Sequence, residues 1–192
     1  MGVSISWCAV REEAAEPFLQ DLGLTPTGDT EEFPASLISV AKLDTDWRVL
    51  WYNKYGCPFL TPEHLSRLSI SRDILFCLVE EHVMASSAEL WSGGKRLWWL
   101  SHEGEGGPRG LACEGKLPEF FPAIREKMEE QQRAAGGDHA GVDYLFEIPL
   151  KVAEGIAGFK HDDDWPHVIG GRLHVVSGIT PRTGLLGRLF KR

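Results

Sequence analysis

The segment that most restricts the fold is ILFCLVEEHVMASSAELWSGGKRLWWLSHE, residues 74–103. It is rich in aromatic and branched apolar residues, and Gly93-Gly94 interrupts it at a point suited to a two-residue hairpin turn. The spacing predicts a long antiparallel hairpin whose first strand begins near residue 73. Pairing Ser92 with Lys95 fixes a register. Leu90 then faces Leu97, Ala88 faces Trp99, Trp91 faces Arg96, Met84 faces Glu103 and His82 faces Glu105. Because side chains alternate along a strand, Glu80, His82, Glu103 and Glu105 share one face. Three carboxylates and an imidazole so placed are types that hold a divalent metal or pair an acid with a base. They form the catalytic candidate of a metal-dependent or acid/base hydrolase. The alternative is a hydrated hairpin end, and a bulge, for which Ser86-Ser87 is the candidate, would send everything beyond it to the other face.

The rest of the chain reads as separate strands and helices. VSISWCAV (3–10), SLISVAKL (36–43), WRVLWYNK (47–54), LACEG (111–115) and a run near 172–177 have strand character. TPTGDTEEFPA (25–35) reads as a loop from its Pro, Gly and Asp content. REEAAEPFLQDLGL carries acids in its first turn and Gly23 past its end, with Pro17 distorting or shortening the helix. TPEHLSRL has Thr61 to cap a helix and Pro62 to begin it. LPEFFPAIREKMEEQQRAAGG repeats apolar residues at helical spacing, and IPLKVAEGIAG is a shorter helix that Gly158 ends. Hairpins beside separate helices predict an α+β domain over residues 1–178. A twisted, mainly antiparallel sheet of about 5–7 strands carries three or so helices, and 179–192 is a basic, apolar C-terminal tail.

Charge separates the two parts. The chain has 28 acidic residues against 20 Lys and Arg, and all 28 fall before residue 165. Residues 165–192 hold Arg172, Arg182, Arg188, Lys191 and Arg192 and no acid. An acidic body repels phosphate backbones, which argues against nucleic acid and for a basic protein partner. The tail gathers Leu185, Leu186, Leu189 and Phe190 among its cations, and docking on the acidic body is its simplest role. No apolar run reaches the roughly 18 residues that span a bilayer, so a cytoplasmic protein without a membrane span is expected. Cys8, Cys57, Cys77 and Cys113 stand far apart, as reduced core cysteines do.

Seven tryptophans are the largest compositional excess. Trp47, Trp51, Trp91 and Trp98 are the candidate binding residues, since aromatic side chains rimmed by acids make protein-binding patches. Trp98 and Trp99, being adjacent on a strand, face opposite sides, one in the core and the other exposed or covered by a helix. Trp91 and Arg96 are a candidate cation–π pair. In FKHDDDW, His161, Asp162, Asp163 and Asp164 are metal-ligand types. His161, Asp162 and Asp164 would ligate an ion if further ligands came from elsewhere, but an acidic surface loop is the simpler identity. No nucleotide loop, nucleophile elbow or zinc motif is present, and no cofactor is expected. The functional expectation is a non-catalytic acidic binding module of the bacterial immunity type that neutralises a basic partner. The hydrolase above is the alternative, and a homodimer built on an edge strand fits a purely structural role.

Overall fold

The computed structural model describes residues 2–104 and 110–178. Within them, nine strands form one antiparallel sheet: β1 (Ser4–Arg11), β2 (Thr25–Glu31), β3 (Ile38–Lys42), β4 (Trp47–Tyr52), β5 (Ile74–Glu80), β6 (Ala85–Ser92), β7 (Lys95–Glu103), β8 (Leu111–Gly115) and β9 (Leu173–Ser177). Their order is β2-β9-β3-β4-β1-β5-β6-β7-β8. Four α-helices accompany them: α1 (Glu12–Asp21), α2 (Pro62–Leu68), α3 (Phe121–Ala134) and α4 (Glu147–Ala157). The class is α+β, as the sequence predicts, with more strands than the expected five to seven and one more helix.

Two departures supply the extra strands. The stretch expected to run unbroken from residue 73 into the hairpin folds back on itself. Residues 81–84 form a turn between β5 and β6, so Glu80 pairs with Ala85. The turn places Met84 at φ 51°, a left-handed conformation that no glycine advertises. The other addition is β2, read from its composition as loop. It is an edge strand that pairs with β9 alone, where the missing N–H of Pro26 is tolerated and Gly28 takes φ 95° beside a break in register.

The helices obey their local signals. Thr61 caps α2 by accepting the His64 N–H, with Pro62 in the first turn. Gly158 ends α4 at φ 74° and donates its N–H to the Glu154 carbonyl at 2.7 Å. Pro17 sits inside α1 without ending it.

The two sheet faces are covered unequally. On one face, Met128 of α3 and Ile148, Val152 and Ala153 of α4 pack on Trp7, Trp51, Leu75, Ala88, Trp98 and Leu100. That core extends across the sheet as far as β7. On the other face, Ala15, Phe18 and Leu19 of α1 and Leu65 and Leu68 of α2 pack on Cys8, Leu50, Ile74 and Phe76. This second core stops at Trp91 on β6 and takes in no residue of β7 or β8. The β6–β8 edge of the sheet is thereby left outside this core on the α1/α2 side, apart from Trp91. Among the described residues, no helix is long and apolar enough to cross a membrane.

Candidate functional site

Three rows cross the strands on this side of the sheet, running from the covered core at β5 out to the open edge at β8. Glu80, Ala85 and Glu103 pair in sequence across β5, β6 and β7. Leu78, Ser87, Ser101 and Ala112 form the next row, and Phe76, Glu89, Trp99 and Glu114 the third. Paired residues of neighbouring strands point the same way, so all of these share one side. Beyond Leu78 the middle row is small, with Ser87 and Ser101 partly exposed and Ala112 exposed. That row runs between Glu80 and Glu103 on one side and Glu89 and Glu114 on the other, with the partly exposed Trp99 beside the latter two.

Each carboxylate has a distinct environment. Glu80 accepts hydrogen bonds from the Ser4 hydroxyl, from the His82 ring at 2.6 Å and from the His82 N–H at 3.2 Å. The Ser4 bond foremost, and then His82, holds Glu80 below the usual carboxylate range. Glu89 is nearly buried, and burial raises its pKa against the pull of Arg96 at 3.3 Å. Arg96 also bonds Glu114 at 3.0 Å and lies over the Trp99 ring, 5.7 Å from its centroid. Glu103 and Glu114 are exposed. The face is therefore acidic, with an aromatic ring set among charges.

The expected register survives only near the turn. Ser92 pairs with Lys95 and Trp91 with Arg96, but a bulge at Leu97 then shifts the ladder so that Leu90 faces Trp98 and Ala85 faces Glu103. The bulge lies on the second strand, not at Ser86-Ser87. Met84 consequently does not face Glu103. His82 lies in the 81–84 turn and not on a strand; it meets Glu80, while Glu105 lies outside the described residues. Glu80 and Glu103 do share a face, with Ala85 between them. The guanidinium of Arg96 takes Trp99, not Trp91, as its ring.

The other candidates are distributed through the interior. Trp47, Trp51, Trp91 and Trp98 are each at most 7% exposed, with the first, second and fourth in the α3/α4 core and Trp91 in the other. Trp51 packs against Phe159 and Trp165. Trp98 is core and Trp99 is on the open face, the split that their adjacency requires. Cys8, Cys57 and Cys77 are buried free thiols. Burial pushes Cys57 up to about 12 and raises Cys8 and Cys77 as well, which keeps them protonated and poorly nucleophilic. The tail 179–192 lies outside the described residues.

Sequence reasoning missed two buried histidine–carboxylate pairs on the opposite side of the sheet. His102 on β7 meets Asp143 at 2.7 Å through Nε2, and Asp143 also accepts the Leu145 and Phe146 N–H groups. His161 meets Glu81 at 3.1 Å, and Glu81 accepts the Val3 N–H at 2.8 Å. Beside them, Lys160 bridges Glu147 at 3.0 Å and Asp162 at 2.6 Å. Burial opposes the charge on Lys160, but these two bonds outweigh it and raise its pKa. Glu81, Asp143, Glu147 and Lys160 line a cleft of about 590 Å³ over Met128 and Phe146. The pairs bind loops to the sheet: each carboxylate satisfies backbone N–H groups as well as a ring. Asp162 is engaged by Lys160, and among the described residues no three His, Cys, Asp or Glu side chains gather as a metal site. The partners are distant in sequence, and no local spacing could have revealed them.

No protein-family model, no curated protein and no solved structure matches this chain.

Proposed function

We propose that this protein is a non-catalytic, acidic binding module of the immunity type, whose open β5–β8 face engages a basic protein partner. The observation that carries this reading is that Glu80, Glu103 and Glu114 share one side of the sheet with the partly exposed Trp99, at the β6–β8 edge that the α1/α2 core leaves open. Arg96 already lies over the Trp99 ring and pairs Glu89 and Glu114. The cations of a partner would therefore meet chiefly the exposed Glu103 and the neighbouring Glu80, with their aliphatic stems against the edge of Trp99. The small side chains of Ser87, Ser101 and Ala112 let an incoming segment lie close to the sheet beside Glu103 and Glu114. Acids on the rim of such a surface speed association and make it sensitive to salt.

The test uses a lysine- and leucine-rich peptide without acids as the probe. Its binding to the full chain is followed by fluorescence anisotropy at low and high salt. The double variant Glu103→Lys, Glu114→Lys should bind about tenfold more weakly at low salt, with its circular dichroism unchanged. Equal binding by the wild type and the double variant would refute the reading.

A further inference from the structure

Resting on that reading of the open face, we propose that the chain's own C-terminal segment, residues 179–192, occupies the face until a basic partner displaces it. The segment has the chemistry that the face lacks. It carries Arg182, Arg188, Lys191 and Arg192 with no acid, and Leu185, Leu186, Leu189 and Phe190. The cations complement Glu80, Glu103 and the outer, exposed Glu114, which shares Arg96 with the buried Glu89, and the apolar side chains suit Trp99, Leu78 and Ala112. Beyond the described residues, the remaining internal stretch is 105–109, too short to cover three rows of a sheet.

The exit point and the reach both allow it. Val176 belongs to the α1/α2 core, and Gly178 lies where an added Cβ would come 3.0 Å from the Gly23 carbonyl, just past α1. The last described residue therefore stands beside the end of α1, on the side of the sheet that carries the open face. From β9 to β6 and β7 is five and six strand spacings in the sheet order, about 24–29 Å. Fourteen extended residues reach about 46 Å, enough to pass around α1 and α2. A tethered segment competes at a high effective concentration, so even weak docking would raise the threshold for an outside partner.

Two measurements on the full chain decide it. Lys191 supplies the amine of the tail, and zero-length carbodiimide coupling followed by mass spectrometry reports which carboxylate it meets. The expected product is an intramolecular link from Lys191 to Glu80, Glu103 or Glu114. The variant Leu185→Ser, Leu189→Ser, Phe190→Ser keeps the net charge, and it should bind the lysine- and leucine-rich peptide about tenfold more tightly than wild type. Coupling of Lys191 only to α1 acids such as Glu13, or only between molecules, overturns the proposal. So does equal peptide affinity in the two proteins, and in each of these cases the open face stands as a binding site. If neither protein binds the peptide, the reading of the face itself fails, and the proposal falls with it.

Discussion

Glu80 and Glu103 point to the same side of the sheet from β5 and β7, with Ala85 on the strand between them. Two strand spacings separate their backbones by about 10 Å, and the Glu80 carboxylate is turned to Ser4 and His82. That distance is slightly beyond the Debye length of about 8 Å at physiological salt and well inside the roughly 30 Å at 0.01 M, so the two charges reinforce each other chiefly at low salt. The geometry suits attraction of a cationic surface better than acid/base chemistry, for which the two groups would have to converge.

Ser4 sets the titration of Glu80. Its hydroxyl is the foremost cause of the lowered pKa, ahead of His82. A carboxylate lowered in the folded state contributes stability above its unfolded pKa and loses it as pH falls through the folded value. Ser4→Ala should therefore raise the Glu80 titration midpoint toward the ordinary carboxylate range, read from its side-chain carbonyl by NMR. The variant should also lose less stability than wild type on acidification from about pH 5 to pH 3. An unmoved midpoint would mean that His82 alone anchors the group.

Glu89 carries the opposite sign. Burial raises its folded pKa, so its contribution favours the protonated form and is lost as pH rises through that value. Glu89→Gln removes the titration while Arg96 keeps Glu114 as a partner. Relative to wild type, the variant should gain stability as pH rises from about 4, the ordinary carboxylate range, through the raised folded value, measured as the shift in urea midpoint. A constant difference across that range would show that Arg96 fully compensates the burial.

Asp143 closes three hydrogen bonds at once, to the His102 ring and to the N–H groups of Leu145 and Phe146. The His102 side chain is fully buried, and its Nδ1 finds no partner among the described residues. Removing Asp143 would leave the ring without a bond at either nitrogen. Asp143→Ala should cost about 2–4 kcal/mol in chemical denaturation, while Asp143→Asn, which can still accept, should cost less. Equal losses would show that charge, not hydrogen bonding, matters there.

The sequence exposes what is decided locally and hides what distant partners decide. Thr61 with Pro62, and Gly158 after α4, are read at their own positions because each satisfies or ends its own turn. The 81–84 turn contains no Gly, Pro or Asn, and so Glu80, Glu81 and His82 looked like the middle of a strand. β2 is a strand only because β9, some 150 residues later, pairs with it. The shared face of Glu80 and Glu103 was legible for a reason that the residues alone do not show. The unforeseen turn and the unforeseen bulge at Leu97 each change the side-chain parity, and the two changes cancel. Trp99 follows from adjacency to Trp98, but its exposure depends on where α1 and α2 end, which no pattern within 95–103 encodes.

The bulge at Leu97 is accommodated by Gly115 across the β7–β8 ladder. Gly115 sits at φ 83°, and a Cβ there would stand 2.1 Å from the Leu97 carbonyl oxygen and 2.8 Å from the Trp98 Cα. Both are backbone atoms and cannot swing aside, so Gly115→Ala combines conformational strain with a clash. Gly170 provides the control. It has φ 77° with nothing within 4 Å of its added Cβ, so alanine there meets strain alone. Gly170→Ala should cost about 1 kcal/mol, and Gly115→Ala clearly more. Hydrogen exchange should separate them further. In Gly115→Ala, the amides of Leu111–Gly115 should lose protection as β8 detaches from β7, whereas Gly170→Ala should leave them protected. If β8 keeps its protection in Gly115→Ala, the glycine is not what holds the bulged register, and β8 tolerates a side chain at that crossing.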